Sequence, residues 1–204
     1  MNTITVESQN FTPSKIVCIG RNYLEHIQEL GNETPDSMVI FVKPNSSISA
    51  ELRATMEEPL HYESEISFMV KDGALYAVGF GLDLTRRELQ SRLKSKGLPW
   101  ERAKAFDGAA CFSEFVIMGN TDIESLSVVL EINDTEIQNG GYELMMYKPQ
   151  QILQEIMSLM SLNDDDIIMA GTPKGVGVVN AGDHFRGMIK SGDEVLVEQD
   201  WVAQ

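Results

Sequence analysis

Residues 61–83 read HYESEISFMVKDGALYAVGFGLD, and the pattern of that stretch decides the fold. Ile66 to Val70 and Leu75 to Leu82 are apolar or alternating runs of strand length, and Lys71-Asp72-Gly73 between them reads as a tight turn. The segment is therefore expected to form a β-hairpin. Side chains alternate along a strand, which puts Glu63 and Glu65 on one face with carboxylates close enough to repel. Asp83 supplies a third carboxylate if register allows. A two-residue loop centred on Asp72-Gly73 sets Asp83 opposite Tyr62, on the face away from Glu63. A three-residue loop, a bulge or indirect pairing brings it to the glutamates. Taken alone, Glu-x-Glu reads more readily as a solvated strand face than as a metal site. Three convergent carboxylates without histidine or thiolate would favour Mg²⁺ or Mn²⁺ over Zn²⁺.

Outward from the hairpin, strand-like runs recur at Lys15 to Ile19, Met38 to Val42, Leu126 to Ile132, Asp166 to Met169 and Glu194 to Glu198. Helical pattern is clear twice. Thr85-Arg86-Arg87-Glu88 has capping-box form, Leu89 and Leu93 keep a face, and Gly97 supplies a stop. Pro149 opens a second helix with Ile152, Ile156, Leu159 and Met160 on one side. Gly140-Gly141 reads as a turn between strands. The class is α+β, β-rich, with a few short helices.

Length and charge bound the function. A chain of 204 residues can bury one sizeable core, so a single domain over 1–204 is expected. The net charge of −15 offers no attraction to nucleic acid or an anionic membrane surface, which leaves small-molecule partners. Cys18 and Cys111 sit in apolar surroundings without Cys-x-x-Cys spacing, as buried thiols in a reducing compartment. With neither a signal-like opening nor an apolar run of about 18 residues, the cytoplasm is the expected address.

Several blocks in order resemble the fumarylacetoacetate hydrolase family, particularly its short single-domain members that act on acylpyruvates and oxaloacetate. They are Gly20-Arg21-Asn22-Tyr23 with His26 and Glu29, Phe41-Val42-Lys43-Pro44, Glu63-Ser64-Glu65, and Leu82-Asp83-Leu84-Thr85 with Arg87 and Gln90. Gly97-Leu98-Pro99-Trp100, Ala103-Lys104-Ala105-Phe106-Asp107, Gln138 and Gly171-Thr172-Pro173-Lys174-Gly175-Val176-Gly177 complete the match. The resemblance implies a rolled mixed sheet or sandwich, usually in a homodimer, with Glu63, Glu65 and Asp83 binding Mg²⁺ or Mn²⁺. It implies that Lys104 faces the substrate and that Arg21, Arg87, Gln90 and Thr172 contact it. It also places His26 and Glu29 on a mobile lid, about residues 21–36, and the residues Gly31 to Pro35 read as a flexible hinge. From the residues, one helical turn would join Glu29 to His26 and raise the basicity of the imidazole. The glycine-rich stretch 171–177 lacks the order of a phosphate loop.

The chemistry expected is metal-assisted cleavage next to a pyruvoyl group: acylpyruvate hydrolysis, oxaloacetate decarboxylation, or both. Two other readings stay open, an oxaloacetate keto–enol tautomerase and a non-catalytic keto-acid binder. The sequence departs from the family in the short connection at 71–75, in Tyr142 and in Phe112 and Glu114. The first bears on a wall of the site or the dimer surface and the last two on pocket shape, while Tyr142 is given no binding role.

Overall fold

In the computed structural model, which describes residues 1–29, 31 and 33–204, the hairpin forms as Ser64–Lys71 and Ala74–Asp83. Its loop has two residues. Lys71 pairs with Ala74, and Asp72 (φ 51°) and Gly73 (φ 70°) supply the two positive φ angles that a tight I′ loop requires. Register then shifts by one residue between Leu75 and Ala77, so that Gly81 faces Glu65 and Leu82 faces Ser64. The Asp83 N–H donates to the Glu63 carbonyl at 2.8 Å. The bulge at Tyr76 is the irregularity the sequence needed, and it delivers Asp83 to the glutamate face.

Around this hairpin runs an eight-stranded, curled mixed sheet in the order Val39–Pro44, Lys15–Gly20, Ile167–Met169, Ser64–Lys71, Ala74–Asp83, Ala110–Phe112 and Ile48–Ser49. Val116–Ile117 also pairs with Ala74–Asp83. A second, antiparallel sheet has the order Thr135–Gly141, Leu126–Ile132, His184–Ser191, Glu194–Val202. Phe68, Val70, Val78 and Phe80 from the first sheet share one core with Val128, Leu130, Phe185 and Trp201 from the second. A Cβ on Gly187 would lie 2.4 Å from Phe80, so the ring rests directly on that backbone. Cys18 and Cys111 are buried free thiols, as expected, and burial pushes the Cys111 thiol up to about 12.

Four α-helices are present among the described residues: α1 (Leu24–Glu29), α2 (Arg87–Ser95), α3 (Glu101–Lys104) and α4 (Pro149–Leu159). None of these is long and apolar enough to cross a membrane. Helix α2 ends as expected. Gly97 takes φ 62°, its N–H donates to the Lys94 carbonyl at 3.1 Å, and the Leu98 N–H donates to Leu93 at 3.0 Å. Its start corrects the sequence reading: the helix begins one residue later than a Thr85 cap requires, with Arg86 at the cap position and no side-chain cap, while the Thr85 hydroxyl accepts from Lys104. In α4, Ile152, Leu153 and Ile156 are buried while Leu159 is exposed, since the helix ends there and its last turn points past the core.

Gly140-Gly141 is a second correction. Both glycines end the strand Thr135–Gly141, and the turn lies at Asn133 (φ 51°) and Asp134 (φ 62°). A Cβ on Gly140 would meet Pro173 at 2.6 Å, so this glycine serves close packing of the 171–177 loop.

Candidate active site

Glu63, Glu65 and Asp83 converge, with ligand oxygens all within 4.8 Å of one another and every residue buried. Burial of three carboxylates demands compensation. Lys104 Nζ lies 2.6 Å from Asp83 Oδ2, 2.8 Å from Glu63 Oε2 and 2.6 Å from Thr85 Oγ1. Lys43 Nζ reaches Asp83 Oδ1 at 2.8 Å and donates to the Lys104 carbonyl. Arg87 pairs with Glu63 and donates from Nη1 to Gln90 Oε1 at 2.9 Å. Glu65 receives only the Gly171 N–H, at 2.7 Å, and no cation among the described residues.

The titration of the trio follows from these partners. Burial raises the Glu63 carboxyl, but Lys104 and Arg87 outweigh it and hold the group well below the usual range. Burial, Asp83 and Glu63 push Glu65 well above that range, and Gly171 and Lys104 offset them only in part. Burial lowers Lys104, and Asp83 and Glu63 more than reverse it. The donor set fits a hard divalent cation: all-oxygen, anionic, and under-compensated at Glu65. A cation between the three would relieve the repulsion that the lysines leave.

The nearby elements bring in the other residues. Asn22 clamps the chain before α1, donating to the Ala170 and Tyr147 carbonyls at 2.7 and 3.0 Å and accepting from the Tyr147 N–H. His26, 5% exposed, follows one turn later with Nδ1 3.2 Å from Glu29 Oε2. Glu29 Oε1 accepts the Gly175 N–H at 3.0 Å, which ties α1 to the glycine-rich loop. A Cβ on Gly175 would come 2.3 Å from the Ile137 carbonyl, and one on Gly171 2.7 Å from Asn22. These glycines permit close backbone approach, and Gly171 thereby presents its N–H to Glu65.

Of the ten residues selected from sequence, nine line one cavity: Arg21, His26, Glu63, Glu65, Asp83, Arg87, Gln90, Lys104 and Thr172. Glu29 stands behind His26. The hinge at Gly31 to Pro35 includes Asn32, outside the described residues, as is Leu30 within the expected lid. Phe112 and Glu114 lie away from this cavity: Phe112 packs against Phe115, and Glu114 accepts the Ser8 N–H. Tyr142 holds Glu124 and Lys148 elsewhere.

Sequence reasoning gave no role to Lys43, Gln138, Lys94 or Trp100. Lys43 interrupts an apolar strand, which was its available signal. Gln138 accepts the Ser64 N–H at 3.0 Å and donates to Thr172 Oγ1 and the Pro173 carbonyl at 2.9 Å, joining the glutamate strand to the loop. That contact is set by tertiary approach of two distant segments and has no local pattern. Lys94 and Trp100 complete the cavity wall.

The model of the fumarylacetoacetate (FAA) hydrolase C-terminal family matches residues 15–202. The chain belongs to this family. It is 31% identical over 194 residues to the oxaloacetate tautomerase YcgM of Escherichia coli (strain K12), covering 86% of this chain and 88% of the relative. It is 36% identical over 199 residues to the mitochondrial oxaloacetate tautomerase FAHD1 of Arabidopsis thaliana, covering 89% of each. A mitochondrial oxaloacetate decarboxylase of Dictyostelium discoideum is 34% identical over 188 residues, covering 84% of this chain and 86% of that one. Among solved structures, a candidate fumarylacetoacetate isomerase/hydrolase from Oleispira antarctica superposes with a TM-score of 0.92 at 32% identity over 100% of both chains. The family's curled, β-rich fold is thus the fold of this chain, and its buried acidic trio supports a metal-dependent reaction of a keto acid.

Proposed function

We propose that this family member is a divalent-metal-dependent oxaloacetate keto–enol tautomerase, with Mg²⁺ or Mn²⁺ held by Glu63, Glu65 and Asp83. The observation that carries the reading is one cavity that joins this trio to a single buried imidazole, oriented by Glu29. Moving a proton between carbon and oxygen needs one acid–base group and no attacking water. When bound, the cation would polarise the keto oxygen and make the adjacent carbon more acidic. Arg87 and Gln90 would orient the substrate carboxylate and keto oxygen, with Arg21 and Thr172 beside them. Lys104 adds positive charge near the oxygen on which negative charge develops. With Nδ1–H donated to Glu29, His26 keeps Nε2 as the proton acceptor. It would take the C3 proton and return it to the C2 oxygen, converting C2=O to C2–OH, and the reverse step uses the same groups. Arg87, which lines the cavity paired with Glu63, would exchange that carboxylate for the substrate's on binding.

Cleavage next to the pyruvoyl group, the leading expectation from sequence, takes second place. It uses the same residues and is favoured by the relative named as a decarboxylase. The tautomerase reading is favoured by the relatives from E. coli and Arabidopsis. A pure binder would not need the His26–Glu29 pair. The proposal takes the whole chain as one catalytic domain, a homodimer, with α1 in a lid. It includes a cytoplasmic setting in which both buried thiols stay reduced.

His26→Ala is expected to lower oxaloacetate tautomerisation about a hundredfold or more while leaving Mg²⁺ affinity unchanged, the usual scale for loss of an acid–base group. Enol decay by ultraviolet absorbance and Mg²⁺ binding by calorimetry check this. Undiminished tautomerisation would overturn the role of His26.

A further inference from the structure

The cavity that holds the carboxylate trio also carries a cation that the proposed reaction does not use. Arg87, Gln90 and Lys94 succeed one another at spacings of three and four on α2, so the three side chains share one helix face. All three line the cavity. Arg87 and Lys104 are ion-paired with the trio. Lys94 has no carboxylate within ion-pair distance among the described residues. Its ammonium is held over the Trp100 ring, 4.8 Å from the centroid, and Trp100 is in turn fixed against Phe41 at 6.1 Å. Burial, then Arg21 and Arg87, lower its pKa to about 8, as expected of a half-buried cation surrounded by like charges. Four cationic side chains, Arg21, Arg87, Lys94 and Lys104, line the cavity with the three carboxylates, in a chain of net charge −15. A local excess of positive charge in so acidic a protein is the signature of a site for an anion.

Position says which anion. Seven residues separate Lys94 from Arg87, about 10 Å along the helix, and a lysine stem in a helix leans back toward the N-terminus. Its ammonium therefore lies a few ångströms farther from the trio than the Arg87 guanidinium. We propose that Lys94, braced on Trp100, binds the distal carboxylate of a 2-oxo dicarboxylate and so selects dicarboxylic over monocarboxylic keto acids. This rests on the functional reading above and adds the basis of its selectivity. The distal carboxylate would meet a directional ammonium partner, while a methyl in the same place would leave a half-buried charge without one.

Oxaloacetate and 2-oxobutanoate test this, because they share a four-carbon chain and differ by a carboxylate in place of a methyl. Their affinities for the Mg²⁺-loaded protein are read from tryptophan fluorescence in stopped flow, for the wild type, K94M and K94R. Methionine keeps the apolar stem over Trp100 and removes the charge. The wild type is expected to favour oxaloacetate. K94M should weaken oxaloacetate tenfold or more and 2-oxobutanoate less than twofold, and K94R should recover part of the loss. Equal weakening of both ligands, or of neither, would overturn the assignment to Lys94 and leave the functional reading standing. A wild type that binds neither keto acid would overturn that reading, and this inference with it.

Discussion

At the scale of single residues, the site is governed by an imbalance. Lys43, Lys104 and Arg87 compensate Glu63 and Asp83, while Glu65 receives one backbone N–H. Glu65 therefore keeps a proton to higher pH than an ordinary glutamate. In the metal-free protein the folded state holds that proton where the unfolded chain, near 4.5, has lost it. The contribution of Glu65 to stability is thus present below about 4.5 and falls as pH rises through its folded value. Glu63 has the opposite sign: its contribution is present above 4.5 and is lost as pH falls through its depressed value. Cation binding needs Glu65 ionised, so Mg²⁺ should expel a proton and bind more weakly as pH falls. Calorimetry in buffers of different ionisation enthalpy measures the proton count; a count of zero at all pH values would contradict this. Alternation put Glu63 and Glu65 on one face, but it was the resemblance to the family that made them, with Asp83, metal ligands and not a solvated strand face. Lys43 was not assigned a role, because its pairing with Asp83 joins residues forty positions apart.

At the scale of elements, the register between the two hairpin strands downstream of Tyr76 decides whether there is a site. The turn at Asp72-Gly73 could be read from sequence, and so could the need for an irregularity, but not where it falls. Excising Tyr76 leaves a regular two-residue hairpin with Asp83 still opposite Glu63, so Mg²⁺ affinity should stay within a few-fold. Inserting one alanine after Tyr76 moves Asp83 opposite Tyr62 and turns its side chain to the other face. That variant should lose Mg²⁺ binding, and calorimetric titration of both distinguishes them. Equal affinities would mean that the strand absorbs register changes elsewhere. Helix α2 shows the same division between legible and hidden. Its glycine stop follows from φ alone, whereas its start falls one residue past Thr85, with Arg86 at the cap position and Thr85 held by Lys104.

At the scale of the whole molecule, one sheet carries the chemistry and the other supports it from behind. Phe80 lies on the strand that ends at Asp83, and it rests on Gly187 of the second sheet. Gly187→Ala should cost about 1–3 kcal/mol by overpacking that contact, which thermal or urea unfolding measures. Mg²⁺ affinity should change little, because the trio is held by the hairpin itself; a large loss of affinity without loss of stability would contradict that separation. Five strands of the first sheet were readable from their apolar runs, whereas Ile48–Ser49, Ala110–Phe112 and Val116–Ile117 are too short to carry a pattern. Thr135–Gly141 and His184–Ser191 were hidden, because paired glycines and interspersed polar residues mask their alternation. The central claim is most directly tested by metal-stripped protein given oxaloacetate before and after Mg²⁺, with enol decay and pyruvate release followed together. The account predicts metal-dependent enol decay that outruns pyruvate release by at least tenfold. Pyruvate appearing as fast as the enol disappears would contradict it and make this a carbon–carbon bond-cleaving enzyme.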